Sequence, residues 1–200
     1  MTAAARVGMF GGAFDPPHNA HVALADAAVG QLGLSLLYVF PTGDAWHKAR
    51  TLTAGPHREA MARLAFDSLP SVRVDGRELV RSGPTYTVDT LRELRAAHPA
   101  HELVLLMGED QAASFEHWHR WQEIAGLAVL AVARRPNDGG DGIALLQSLP
   151  GVRVEPLQLP PMPESATAIR ARLTAGQDIS QLVPAAVASY IAQHNLYESA

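Results

Sequence analysis

The sequence predicts an α/β protein: a doubly wound, mostly parallel sheet with helices on both faces, followed by a small C-terminal helical part. Two observations predict it. Six short apolar runs alternate with longer amphipathic stretches, and most of the runs carry few polar residues, as strands buried on both faces do. Proline then clusters after the sixth run, at Pro156, Pro160, Pro161 and Pro163, and two further helical patterns follow. Strand–helix alternation implies parallel strands joined by crossover helices, and right-handed crossovers wind such a sheet in both directions.

The runs are residues 7–10, 36–40, 72–74, 103–107, 127–133 and 152–154. A helix over 18–32 places Val22, Ala25, Val29 and Leu32 on one face. One over 58–69 does the same with Met61, Leu64, Ala65 and Leu69, and one over 87–97 with Val88, Leu91 and Leu94. Helices over about 167–175 and 184–194 close the pattern. No linker is long enough to divide the chain, so residues 1–200 read as one domain. Its core covers about 6–160 and its helical part about 165–197. Residues 136–142, rich in glycine and aspartate, read as a mobile loop.

Composition narrows the function classes. Hydrophobic residues make up 48% of 200 and charged residues 18%, enough apolar material for a core and unlike a disordered chain. The net charge of −4 leaves no basic excess for non-specific nucleic-acid binding. There is no cysteine, which excludes disulfides, thiolate metal sites and a cysteine nucleophile. The longest apolar runs, such as 127–133, fall far short of a membrane span, and residues 1–6 carry no secretion signal. The expectation is a cytoplasmic protein with neither nucleic-acid nor membrane partners; its oligomeric state is left open.

The chemically rich segments all follow strands, where open α/β sheets bind ligands. After the first come Gly11, Gly12, Ala13, Phe14, Asp15, Pro16, Pro17, His18, Asn19, Ala20 and His21. Two glycines let main chain approach a ligand, and a helix start bearing His18 and His21 three apart makes a phosphate cradle. After the second come Trp46, His47, Lys48 and Arg50, read either as a solvated charge run or as a loop closing over an anion. Gly108, Glu109 and Asp110 follow the fourth run, and Arg134-Arg135-Pro136 the fifth. Ser165, Ala166, Thr167, Ala168, Ile169 and Arg170 read as a capped helix start with a cation in its first turn, a position the helix dipole disfavours unless an anion lies beside it. Trp118 and Trp121, three apart, share a face if helical; one is expected in the core and the other free to stack on a ring. A metal site built on His18 and His21 with Asp15 or His47 lacks typical ligand spacing.

The segment from Gly12 to His21 resembles the GxFxPxHxGH motif of a nucleotidyltransferase superfamily. More closely, the chain resembles the bacterial nicotinate-nucleotide adenylyltransferase family. That likeness is carried by Asp75 to Leu79 leading to Pro84 through Leu91, by Gly108-Glu109-Asp110 with Trp118 and Trp121, by Arg134-Arg135-Pro136, and by Ser165 to Arg170. Val183-Pro184, Tyr190-Ile191 and Leu196-Tyr197 are also typical, and the likeness covers about residues 6–197. The departures are Ala13 for a usual threonine, Ala20 for glycine, and Ala45-Trp46 for a proline pair before His47-Lys48.

The resemblance implies a Rossmann-like nucleotidyltransferase fold and adenylyl transfer from ATP to nicotinate mononucleotide, with Mg²⁺ held by phosphates and water. It implies catalytic roles for His18, His21, Lys48 and Arg170. It implies ATP contacts from Gly11, Gly12, Ala13, Phe14, His18, His21, Gly108, Asp110, Arg135, Ser165, Ala166, Thr167 and Arg170. It implies nicotinate-nucleotide contacts from Lys48, Thr87 and Trp118. Other readings remain: a pantetheine-phosphate-type transferase, a non-catalytic nucleotide-binding protein, and a metal hydrolase on His18, His21 and His47.

Overall fold

The computed structural model describes residues 4–43, 51–134, 142–162 and 164–197. Six parallel strands form one sheet: β1 (Arg6–Gly12), β2 (Leu34–Pro41), β3 (Val72–Val74), β4 (Glu102–Gly108), β5 (Ala128–Arg134) and β6 (Val154–Gln158). Their spatial order is β3-β2-β1-β4-β5-β6. The chain winds outward from β1 to β3, returns to β4 beside β1, and winds outward again. The β1/β4 junction is therefore the switch point of a doubly wound sheet, where helices on either side diverge and leave a crevice.

Period-two alternation sorts the strand residues between two cores. Phe10, Leu37, Val39, Val104 and Leu106 face α1 (Asn19–Leu32), α2 (Gly55–Phe66), α7 (Ala166–Thr174) and α8 (Ala185–Gln193). Val7, Met9, Leu103, Leu105 and Met107 face α3 (Thr87–Ala97), α4 (Glu109–Ala113), α5 (Trp121–Leu127) and α6 (Gly142–Ser148). Helix α1 stops at Gly33, whose φ of 62° is the left-handed conformation glycine adopts without strain, so β2 starts at once.

β3 and α3 fall on the predicted boundaries, and Val88, Leu91 and Leu94 are buried together as their spacing implies. Other expectations need correction. The last strand is 154–158, not 152–154, and contains Pro156 opposite Val132. β6 lies at the sheet edge, where one N–H side faces outward and proline's missing donor removes no ladder bond. Helix α2 begins three residues early, with Pro56 in its first turn, and ends at Phe66. Its buried face includes Arg58 and Ala62, while Leu64 is 39% exposed. Gly142, expected in a loop, opens α6; residues 136–141 lie outside the described residues.

Candidate active site

β1 delivers Gly11 and Gly12 to the carboxyl edge of the sheet. A side chain on Gly12 would press on the Phe14 ring, whereas at Gly11 the same space is open. Phe14 turns inward with a φ of 48° and packs edge-on against Phe10 and Phe66, 5.4 and 5.7 Å between centroids. It is thus core rather than cradle, and what it can offer a ligand is main chain.

His18 caps α1 from one residue outside it, so the helix starts a residue later than its pattern suggests. Its ring nonetheless stacks on His21, 3.7 Å between centroids and 29° apart. The His18 main-chain N–H donates to His21 Nδ1 at 3.2 Å. An Nδ1 that accepts leaves the imidazole proton on Nε2, so neutral His21 presents a donor on its outer edge.

α7 meets this loop from the other end of the chain. Ser165 Oγ accepts from the Ala168 N–H at 3.2 Å and caps the helix as expected. Arg170 is the fifth residue of α7, not a first-turn residue, so the expected conflict with the dipole does not arise. Its guanidinium donates to the Asp15 carbonyl at 2.7 Å and to Thr167 Oγ1 at 3.1 Å. Segments 155 residues apart therefore share one edge, with Arg170 bonded three residues upstream of His18.

A cavity of about 550 Å³ opens at the switch point beside this cradle. Gly11, Gly12 and Ala13 form one wall, Thr85, Tyr86 and Thr87 with Glu78 a second, and Asp110, Gln111 and Trp118 a third. Met9 and Leu105 line it as well. Thr87 is the first residue of α3, so its main-chain N–H belongs to the turn that a helix leaves without internal partners. Trp118 borders the cavity and Trp121 does not. They share no helix face: Trp118 ends a 3-10 turn, and Arg120 at φ 57° breaks the chain before α5. Both instead pack on buried Phe115, at 5.7 and 6.0 Å. The Tyr86 and His119 rings lie 4.2 Å apart, tilted by 30°, along the cavity wall.

Of the expected site residues, Gly11, Gly12, Ala13, Asp110, Thr87 and Trp118 line the cavity. His18, His21, Ser165, Ala166, Thr167 and Arg170 form the adjoining cradle rather than the cavity wall, and Gly108 ends β4 without lining the cavity. Lys48 and Arg135, with Trp46 and His47, lie outside the described residues. Among the described residues no group of three or more His, Asp or Glu side chains is placed to hold a metal ion.

Two buried charges escaped the sequence reading. Arg58, 3% exposed, donates to the carbonyls of Ala13 and Thr53 and so ties the glycine loop to the approach of α2. Glu78 accepts from Thr90 Oγ1 at 2.6 Å beneath the cavity, and its own carbonyl sits where a side chain on Gly43 would be. That close approach makes glycine obligatory at 43. Burial pushes the Glu78 carboxyl up to about 7, against the Thr90 hydroxyl and Arg81, which favour its charged form. The folded chain therefore binds this proton more tightly than the unfolded one, whose value is near 4.5. Stability is greatest below the unfolded value and declines as pH rises toward 7. Glu78→Gln is expected to flatten the fall in Tm between about pH 5 and 8 and to be several degrees more stable than the parent at pH 8. A thermal melt series against pH checks this; parallel curves would assign the slope to another group.

A doubly wound sheet with a glycine loop, two stacked histidines and a cavity at its switch point defines an α/β nucleotide-binding protein. The chain belongs to the cytidylyltransferase-like family, whose profile matches residues 9–172, and to its nicotinate-nucleotide adenylyltransferase members. A relative named "Probable nicotinate-nucleotide adenylyltransferase" from Albidiferax ferrireducens is 53% identical over 196 residues, covering 98% of this chain and 99% of its own. One of the same name from Bordetella petrii is 46% identical over 195 residues, covering 96% and 98%. The structure of Plasmodium falciparum nicotinic acid mononucleotide adenylyltransferase complexed with APC superposes with a TM-score of 0.79 over 96% of this chain and 97% of that one. At 20% identity the match shows the shared fold.

Proposed function

We infer that the protein transfers the adenylyl group of ATP to nicotinate mononucleotide, releasing pyrophosphate and giving nicotinate adenine dinucleotide. The observation that carries this reading is the Arg170–Asp15 bond, which holds a guanidinium against the histidine loop beside a cavity bounded by Thr87 and Trp118. A phosphate oxygen of the acceptor, ionised at neutral pH, attacks the α-phosphorus. The bond from that phosphorus to the bridging oxygen breaks, and pyrophosphate leaves with the electron pair. No general base and no covalent enzyme intermediate is needed. The site's work is alignment and stabilisation of charge moving onto the leaving group.

The residues suit that work. His21 Nε2–H and the His18 ring donate to the phosphates over the glycine loop. Arg170, with the Thr167 and Ser165 hydroxyls and the first-turn amides of α7 at Ala166, receives the outgoing phosphates. Gly108 and Asp110 border the adenosine; for Arg135, outside the described residues, only the family resemblance implies the same role. The acceptor enters the cavity, its pyridine ring on Trp118 and its carboxylate toward the α3 amides at Thr87. For Lys48, also outside the described residues, the resemblance implies a charge-neutralising role. Mg²⁺ held by phosphate oxygens and water would neutralise charge on the triphosphate. No helix among the described residues is long and apolar enough to cross a membrane.

Pyrophosphate release with ATP, Mg²⁺ and a panel of phosphorylated acceptors tests the reading. Nicotinamide mononucleotide turns donors toward the donors that suit a carboxylate, so kcat/KM for the acid is expected to exceed that for the amide about tenfold or more. Comparable values would contradict the carboxylate site. Turnover of pantetheine phosphate instead would assign the chain to another transferase of the superfamily.

A further inference from the structure

Tyr197 lies outside residues 9–172 and does not line the cavity, yet its phenol reaches the histidine loop. It donates to Asp15 Oδ1 at 2.6 Å. Asp15 Oδ2 accepts the Thr53 N–H at 3.2 Å. Thr174 Oγ1, which donates to the Arg170 carbonyl at 3.0 Å, also lies 3.4 Å from the Tyr197 carbonyl at the end of α7. Asp15 is only 1% exposed, and its carboxylate is turned to protein partners. Its main-chain carbonyl is the acceptor of Arg170, and three residues on is His18.

We propose that Tyr197 and Asp15 form a latch through which the C-terminal segment positions Arg170 and His18 for the triphosphate. Both are positioning residues: neither meets the reacting atoms. The physical case is one of shared atoms. The Asp15 side chain is fixed by the chain's last described tyrosine, and its main chain holds the phosphate-binding cation. A buried carboxylate that loses one donor re-seeks a partner by shifting, and here any shift carries the Arg170 acceptor with it. Burial and the Asp15 carboxylate hold the Tyr197 hydroxyl well above the usual phenol range, so it remains a protonated donor at any working pH.

This inference rests on the adenylyl-transfer reading, and its test separates the two. Tyr197→Phe removes one hydroxyl from the full chain. Tyr190→Phe is the control: it removes another C-terminal hydroxyl, one bonded to His57 Nδ1 at 3.0 Å. Tyr197→Phe is expected to lose about tenfold in kcat/KM for ATP and about as much in affinity for inorganic triphosphate, with KM for nicotinate mononucleotide unchanged. Tyr190→Phe is expected to stay within about twofold of the parent in each. Asp15→Asn is expected to repeat the ATP-side loss, and it decides the question if Tyr197→Phe does not fold. Parent-like ATP and triphosphate parameters in Tyr197→Phe overturn the latch. So does a loss shared equally by Tyr190→Phe or by both substrates, which makes the phenol a stability contact. A parent enzyme that releases no pyrophosphate overturns the function instead, and the triphosphate affinities still decide the latch.

Discussion

Replacing His18 by alanine is expected to lower turnover about 100-fold or more while the chain stays folded. The fold tolerates it because the local scaffold is main chain. The His18 carbonyl accepts from the His21 and Val22 amides, and the His18 N–H donates to His21 Nδ1. Alanine at 18 keeps all three. What it removes is the ring stacked on His21, and with it one positioned donor over the glycine loop. Pyrophosphate release beside a circular-dichroism melt reads both quantities. Near-normal turnover in the folded variant would remove His18 from the mechanism.

Arg170→Ala is expected to lower kcat/KM for ATP by about 10²–10³-fold, with KM for the acceptor little changed, because Arg170 does not line the cavity. The conservative variant is the more discriminating. The planar fork of Arg170 meets the Asp15 carbonyl with one nitrogen and Thr167 Oγ1 with another. A lysine places a single charge and cannot span both partners while facing a phosphate, so Arg170→Lys is expected to recover little of the loss. Steady-state kinetics with each substrate varied in turn checks this. Full recovery by lysine would mean that charge alone matters; equal effects on both substrates would place the arginine's role outside the triphosphate.

What the sequence made legible was local and periodic. Three apolar residues on one face placed α3 at its observed ends, and the spacing of His18 and His21 at a helix start marked the two rings that the structure stacks. What it hid depends on partners distant in the chain. Pro156 reads as a loop residue until β6 is known to be an edge strand. The burial of Arg58 follows from the carbonyls of Ala13 and Thr53 that converge on it, and Leu64, expected on the buried face, is half-exposed. Asp15 was one more motif residue until its two carboxylate oxygens were found on Tyr197 and Thr53. Choosing between Trp118 and Trp121 needed the left-handed Arg120 that turns the chain between them. In each case tertiary context decides an outcome that propensity and pattern leave open.

The central claim is that a triphosphate cradle on His18, His21 and Arg170 and an acceptor cavity at Thr87 and Trp118 serve one reaction across the β1/β4 crevice. A crystal structure of the full chain with a non-hydrolysable ATP analogue and nicotinate mononucleotide tests it most directly. The account predicts the pyridine ring against Trp118, the triphosphate over the histidine pair and Arg170, and the acceptor phosphate oxygen about 3–3.5 Å from the α-phosphorus. A nucleotide seated elsewhere, with His18 and Arg170 touching no phosphate, would contradict it.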